Sequence, residues 1–149
     1  MNDSRDAFCT LIAVLAFAIP SSPAWSAQAG SRDDRKPSLA LKATPPVGFS
    51  PLRIRVVVDA RGGADDYADF YCPSIEWDWD DGTVSENSSD CDPYESGRSR
   101  IDRRWTAEPL YRRAGSYKAT FRIKQKDKTV ATSVANIQVR AGVQDNSRQ

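Results

Sequence analysis

The sequence predicts an all-β chain, a β-sandwich of about seven short strands. Three observations carry this expectation. Apolar residues alternate with polar ones in several separate runs, the period of a strand with one buried face. Clusters of Gly, Pro, Asp and Asn separate those runs, as turns do. Outside the first thirty residues, no stretch carries the three-to-four-residue apolar spacing of an amphipathic helix.

The chain has 149 residues, 40% hydrophobic and 28% charged, which suits one domain with a modest core. Residues 1–29 are read apart from the fold. Ala7 to Ile19 is an uncharged apolar run, shorter than the about 20 residues a membrane span needs. Pro20, a small-residue stretch and Ala27-Gln28-Ala29 follow it, the order of a secretory signal and its cleavage site. Cys9 lies within that signal, which leaves Cys72 and Cys91 with a single possible connectivity. An oxidising compartment would join them. The expected location is therefore secreted or periplasmic, with no integral membrane anchor, since no second apolar segment follows.

Residues 30–36 read as a charged, disordered lead, 37–141 as the sandwich and 142–149 as a flexible tail. The first strand alternates at Leu39 and Leu41 and ends at Pro45-Pro46, because proline cannot donate to a ladder. Leu52, Ile54, Val56 and Val58 form one face of the next. Ala60 to Pro73 is a Gly- and Asp-rich loop whose aromatics, ending in Phe70-Tyr71, would pin it to the body. Ile75, Trp77 and Trp79 then alternate with Glu76, Asp78 and Asp80, and Asp81-Gly82 is a hairpin signal. Thr83 to Glu86 reads as a short partner strand and Asn87 to Ser99 as a second polar loop, carrying Cys91. Ile101 to Trp105 is a further short strand. Tyr117, Ala119, Phe121 and Ile123 form the inner face of a long one. In the last strand Val130, Thr132 and Val134 give way to Ile137 and Val139, and this change of parity predicts a bulge near Ala135-Asn136.

Trp77-Asp78-Trp79-Asp80-Asp81-Gly82-Thr83 resembles the W-D-F-G-D-G-T signature of the PKD (polycystic kidney disease) domain family. Pro109-Leu110-Tyr111 and Ala114-Gly115-Ser116-Tyr117 resemble the family's second signature, H-x-Y followed by P-G-x-Y, with His and Pro replaced. The resemblance covers roughly residues 37–141 and implies an immunoglobulin-like sandwich. In it Trp77, Asp78, Trp79, Asp81, Gly82, Tyr111, Gly115 and Tyr117 are fold residues. The two long loops and the Cys72/Cys91 pair are additions to that pattern. The missing His puts the packing beside the tryptophan hairpin in question.

The chain contains no His, which removes the commonest general base and metal ligand and excludes Ser-His and Cys-His nucleophilic arrangements. A non-catalytic module is expected. Asp59 to Glu95 holds twelve acidic residues and one basic, whereas Ser96 to the end holds thirteen basic and four acidic. With a net charge of +1, nothing calls for nucleic acid, and pairing across neighbouring strands is the expected fate of the two blocks. Calcium is the one metal the composition allows, through Asp65, Asp66, Asp80, Asp81, Asp90 and Asp92 with Asp69 nearby, although no EF-hand spacing occurs. Trp105 and Tyr94 are candidate surface anchors for a protein partner or a glycan. Lys118, Arg122 and Lys124 form a cationic outer face, for which solvation is the default. Two roles follow: a protein-interaction module of the envelope or extracellular space, or a carbohydrate or cell-wall binding module.

Overall fold

A computed structural model describes residues 34–142. The signal segment expected over 1–29, the first part of the lead and residues 143–149 of the tail lie outside the described residues.

The strands in chain order are β1 (Ser38–Thr44), β2 (Val47–Phe49), β3 (Leu52–Arg53), β4 (Arg55–Arg61), β5 (Ser74–Asp78), β6 (Val84–Asn87), β7 (Arg104–Ala107), β8 (Leu110–Tyr111), β9 (Gly115–Gln125) and β10 (Lys128–Arg140). A single 3-10 turn covers Ala68–Phe70 in the first long loop. One sheet has the order β1-β4-β7, the other β2-β10-β9-β5-β6, and β3 with β8 forms a two-stranded ladder. All pairs are antiparallel except β2 with β10. This is an immunoglobulin-like β-sandwich. Pro45-Pro46 marks the place where the chain leaves the first sheet and, one residue later, joins the second, since neither proline has an N–H for the β1 ladder.

Val56, Val58 and Ala60 of β4 face Ala119, Phe121 and Ile123 of β9 and Ile137 and Val139 of β10 in one buried cluster. The face read over Leu52 to Val58 is therefore real, but the strand is broken at Ile54, whose N–H donates to the Pro109 carbonyl. Trp77 and Phe121 are register partners with rings 4.6 Å apart, and Trp79 lies stacked on Trp77 at 5.1 Å. Both tryptophans are buried. The turn after them is wider than Asp81-Gly82 alone: Asp78 pairs with Val84, and Asp80 and Gly82 both take positive φ.

Tyr111, 1% exposed, donates its hydroxyl to the Trp79 carbonyl at 3.1 Å. Tyr117 packs against it at a tilt, rings 4.4 Å apart, and donates its own hydroxyl to the Arg113 carbonyl, four residues upstream. The second contact has the form of a tyrosine corner. The position where the PKD pattern has His is held by Pro109, whose carbonyl serves β3–β4, so the hairpin packing is complete without an imidazole.

Two expectations need correction. The strand read at Ile101 to Trp105 begins at Arg104, because the Ile101 N–H bonds the Asp65 carbonyl of the first loop and not a ladder. The irregularity in β10 falls between Thr129 and Ala131, so Ala131, Ser133 and Ala135 point inward in phase with Ile137, and Val134 is exposed. The contacts of the sandwich also reach beyond 37–141. The Arg35 carbonyl accepts from Ala64, and Lys36 reaches the Val130 carbonyl. Gly142 is buried, where a Cβ would stand 1.9 Å from the Ser50 carbonyl oxygen.

Tyr111→Phe tests the clip between the tryptophan hairpin and the β3–β8 ladder. It leaves a buried carbonyl without its donor and should lower stability by about 1–3 kcal/mol in urea unfolding, with an unchanged m-value.

Candidate functional site

The two long loops, residues 62–73 and 88–103, meet at one end of the sandwich. Gly62 and Gly63 start the first with φ of +63° and +64°. A side chain at Gly63 would fall 2.5–2.7 Å from the backbone of residues 35–37, so only glycine lets the two segments touch. Phe70 then plugs the core, fully buried and edge-on to Tyr67. Beyond it Cys72 is joined to Cys91 across a separation of 19 residues. In the chain-entropy account, a loop of that length makes the bond worth about 3 kcal/mol.

Arg103 holds the first loop from the other side. Its Nε donates to Asp65 Oδ1 at 2.7 Å, and Nη1 donates to the carbonyls of Ala60 and Gly62 at 3.1 and 2.9 Å. Arg100 adds a second ion pair to Asp65 at 3.3 Å. Asp66 accepts the Gly97 N–H at 2.9 Å and pairs with Arg35 at 3.1 Å. The Gly97 bond is the main cause holding its carboxyl below the usual range, with Arg35 assisting. Tyr94 donates its hydroxyl to the Asp66 carbonyl at 2.6 Å and rests on Tyr71, whose hydroxyl donates to the Asp92 carbonyl. Two polar loops thus become one cross-tied cap. Beside it lies a cleft of about 320 Å³, lined among others by Tyr71, the Cys72–Cys91 bridge, Arg100, Asp102 and Trp105.

The acidic residues read as calcium ligands are not brought together. Asp65 and Asp66 face arginines and a backbone N–H in the cap. Asp90 and Asp92 lie exposed on the second loop. Asp80 and Asp81 sit at the far end of β5, a strand of five residues and so roughly 17 Å away. There Asp80 accepts the Lys118 N–H and Asp81 accepts from the Thr83 N–H and hydroxyl. Asp78 likewise accepts the Asp80 N–H. Among the described residues no group of three or more His, Cys, Asp or Glu is placed to hold a metal ion. The donor set does not fit calcium, which needs six to eight oxygens converging on one point.

Trp105 also departs from expectation. It pairs with Val58 in register on the inner face of β7, and its ring lies 5.3 Å from that of Phe121 across the sandwich. It is half-buried and bridges the sheets, with part of its surface lining the cleft. Tyr94 remains exposed on the cap. For Arg100 and Arg103 the one signal in the sequence is the basic run that follows the acidic loops.

On the outer face of the five-stranded sheet, the expected cationic patch is neutralised. Glu76 pairs with both Arg122 and Lys124, Lys124 also with Glu86 at 3.2 Å, and Arg122 with Asp78 at 3.5 Å. The opposed charge blocks of the sequence close on each other across β5, β6 and β9. Hydrogen bonds from Lys124 and then Arg122 hold the Glu76 carboxyl down to about 2.

No model of a known protein family matches the chain, and comparison with curated proteins finds no significant match. The solved structures that match the chain include one at low identity. It is a CARDB domain from Pyrococcus furiosus in complex with di-metal ions. The two are 16% identical, the match covers 70% of this chain and 90% of that one, and the TM-score is 0.43. The ions belong to that protein.

The Glu76 cluster sets a pH dependence. A carboxyl lowered from 4.5 in the unfolded chain to about 2 contributes stability above pH 4.5 and loses it as pH falls toward 2. Glu76→Gln should flatten the urea-midpoint profile across that window, removing on the order of 1 kcal/mol at neutral pH because the pairs are partly solvated.

Proposed function

We propose that the chain is an exported, PKD-like β-sandwich that acts as a non-catalytic binding module. Its partner is a protein of the cell envelope or extracellular space, bound through the disulfide-tied cap. The observation that carries this reading is the cross-tying itself. Loops of this length and polarity ordinarily lose much conformational freedom when a partner orders them. Here the disulfide, the Arg103 fork and the hydroxyls of Tyr71 and Tyr94 hold them already, which lowers the entropic cost of association. Tyr94 and Arg100 stand exposed on that surface, and both residue types are enriched among the side chains that dominate interface energies. The disulfide supports an oxidising destination. Among the described residues no helix is long and apolar enough to cross a membrane.

The carbohydrate reading has less support at this site. Stacking of sugar rings needs exposed aromatic faces, and Trp105 is turned toward Phe121 while Tyr94 leans on Tyr71. The Asp78, Asp80 and Asp81 carboxylates accept backbone N–H groups, which favours a structural role over turnover.

The test is quantitative capture from envelope extract with the exported protein as bait, alongside a glycan array. A protein partner should be retained by the wild type and weakened about tenfold or more by Tyr94→Ala and by Arg100→Glu. Partner capture that ignores both substitutions, or a glycan signal that they abolish, would overturn the protein-binding reading.

A further inference from the structure

The outer face of the three-stranded sheet carries a charge pattern unlike the rest of the surface. In β4, Val56, Val58 and Ala60 point into the core, so Arg55, Val57, Asp59 and Arg61 point out. Register places Lys42 of β1 beside Val57, and Arg104 of β7 beside Asp59. These residues line a shallow groove of about 340 Å³. It holds four cations and one carboxylate, and that carboxylate, Asp59, pairs with Arg104 at 2.7 Å. Among the described residues, no ion pair joins Lys42, Arg55 or Arg61. The contrast with the opposite face, where Glu76, Asp78 and Glu86 answer Arg122 and Lys124, is what singles this groove out.

The shape of the charge limits what it fits. Arg55 and Arg61 stand six residues apart, roughly 20 Å along the strand, while the three strands span only about 10 Å in width. A long, narrow cationic row matches a chain-like anion. No aromatic residue lines the groove, so the stacking that holds single-stranded nucleic acid is missing. The large exposed apolar residues, Val47, Phe49, Val84, Tyr94 and Val134, all lie elsewhere, so a bilayer would find no anchor here. An acidic peptide would extend a sheet edge through its backbone in preference to lying across the pleat. Arginine forks suit carboxylates bidentately, and Val57 gives an apolar floor between them for the C–H face of a sugar ring.

We propose that this face binds an acidic polysaccharide, a carboxylate-bearing glycan chain running along β4 over Val57 between Arg55 and Arg61. The site shares no residue with the cap, so it stands or falls independently of the protein-binding reading. Titration of the full chain with polygalacturonate, at several salt concentrations and with neutral dextran as control, tests it. Binding should appear with polygalacturonate only and weaken as salt rises. Arg55→Ala with Arg61→Ala should reduce it at least tenfold without altering the melting temperature. Arg112→Ala with Arg113→Ala, which removes the same charge outside the groove, should leave it unchanged. The proposal is overturned by absence of binding, or by equal loss in both double variants. Tighter binding to phosphatidylglycerol vesicles or to an oligo-dT strand would overturn it as well.

Discussion

One guanidinium decides what the end of this sandwich looks like. Arg103 stands just before β7 and reaches back to the end of β4, taking the Ala60 and Gly62 carbonyls and the Asp65 carboxylate at once. Its own carbonyl receives the Ala60 N–H at 2.8 Å. A planar fork with five donors is suited to gathering several acceptors in a fixed arrangement. Those carbonyls belong to a turn with two successive positive-φ glycines, a conformation with little intrinsic stability of its own. Once that turn is held, Asp65 can receive Ile101 and Arg100, Asp66 can receive Gly97, and Tyr94 can close over both. The disulfide fastens the same two loops at the start of β5. Two ties at separate points leave little room for the loops to slide against each other.

The distribution of charge follows a similar logic. Acidic and basic halves of the sequence are placed on adjoining strands and loops, where each neutralises the other. Glu76 takes Arg122 and Lys124 on the sheet, and Asp65 takes Arg100 and Arg103 in the cap. Exposed pairs of this kind add modest stability individually. Their larger consequence is that the conspicuous charges of the sequence are largely engaged with one another. Among the described residues, cations outside any ion pair also stand on β1 and β4, strands whose clearest sequence signal is their apolar alternation.

What could be read beforehand follows from how local each signal is. Alternation at Val56 and Val58, Trp77 and Trp79, or Phe121 and Ile123 depends only on residues two apart, so the strands and their inner faces were legible. The single pairing of Cys72 with Cys91 was likewise a matter of counting. The β10 bulge was misplaced because Val130 and Val134 are apolar, yet only the register with β9 decides which of them faces the core. Trp105 reads as a surface anchor because Arg103 and Arg104 stand beside it, and its inward position follows from pairing with Val58, 47 residues upstream. The cap was legible as two loops and a bridge. Its wiring was not, since Arg103 to Asp65 and Tyr94 to Asp66 are contacts 38 and 28 residues apart with no sequence period.

The cap is held in place before any partner arrives. Native-state amide hydrogen exchange compares the wild type with Arg103→Ala most directly. The N–H groups of Ala64, Gly97 and Ile101, each bonded across segments, should be protected in the wild type. In the variant their protection should fall by about tenfold or more while β9 and β10 keep theirs, the signature of a local opening. Rapid exchange of those three amides in the wild type, or a variant in which they remain as protected as before, would contradict it.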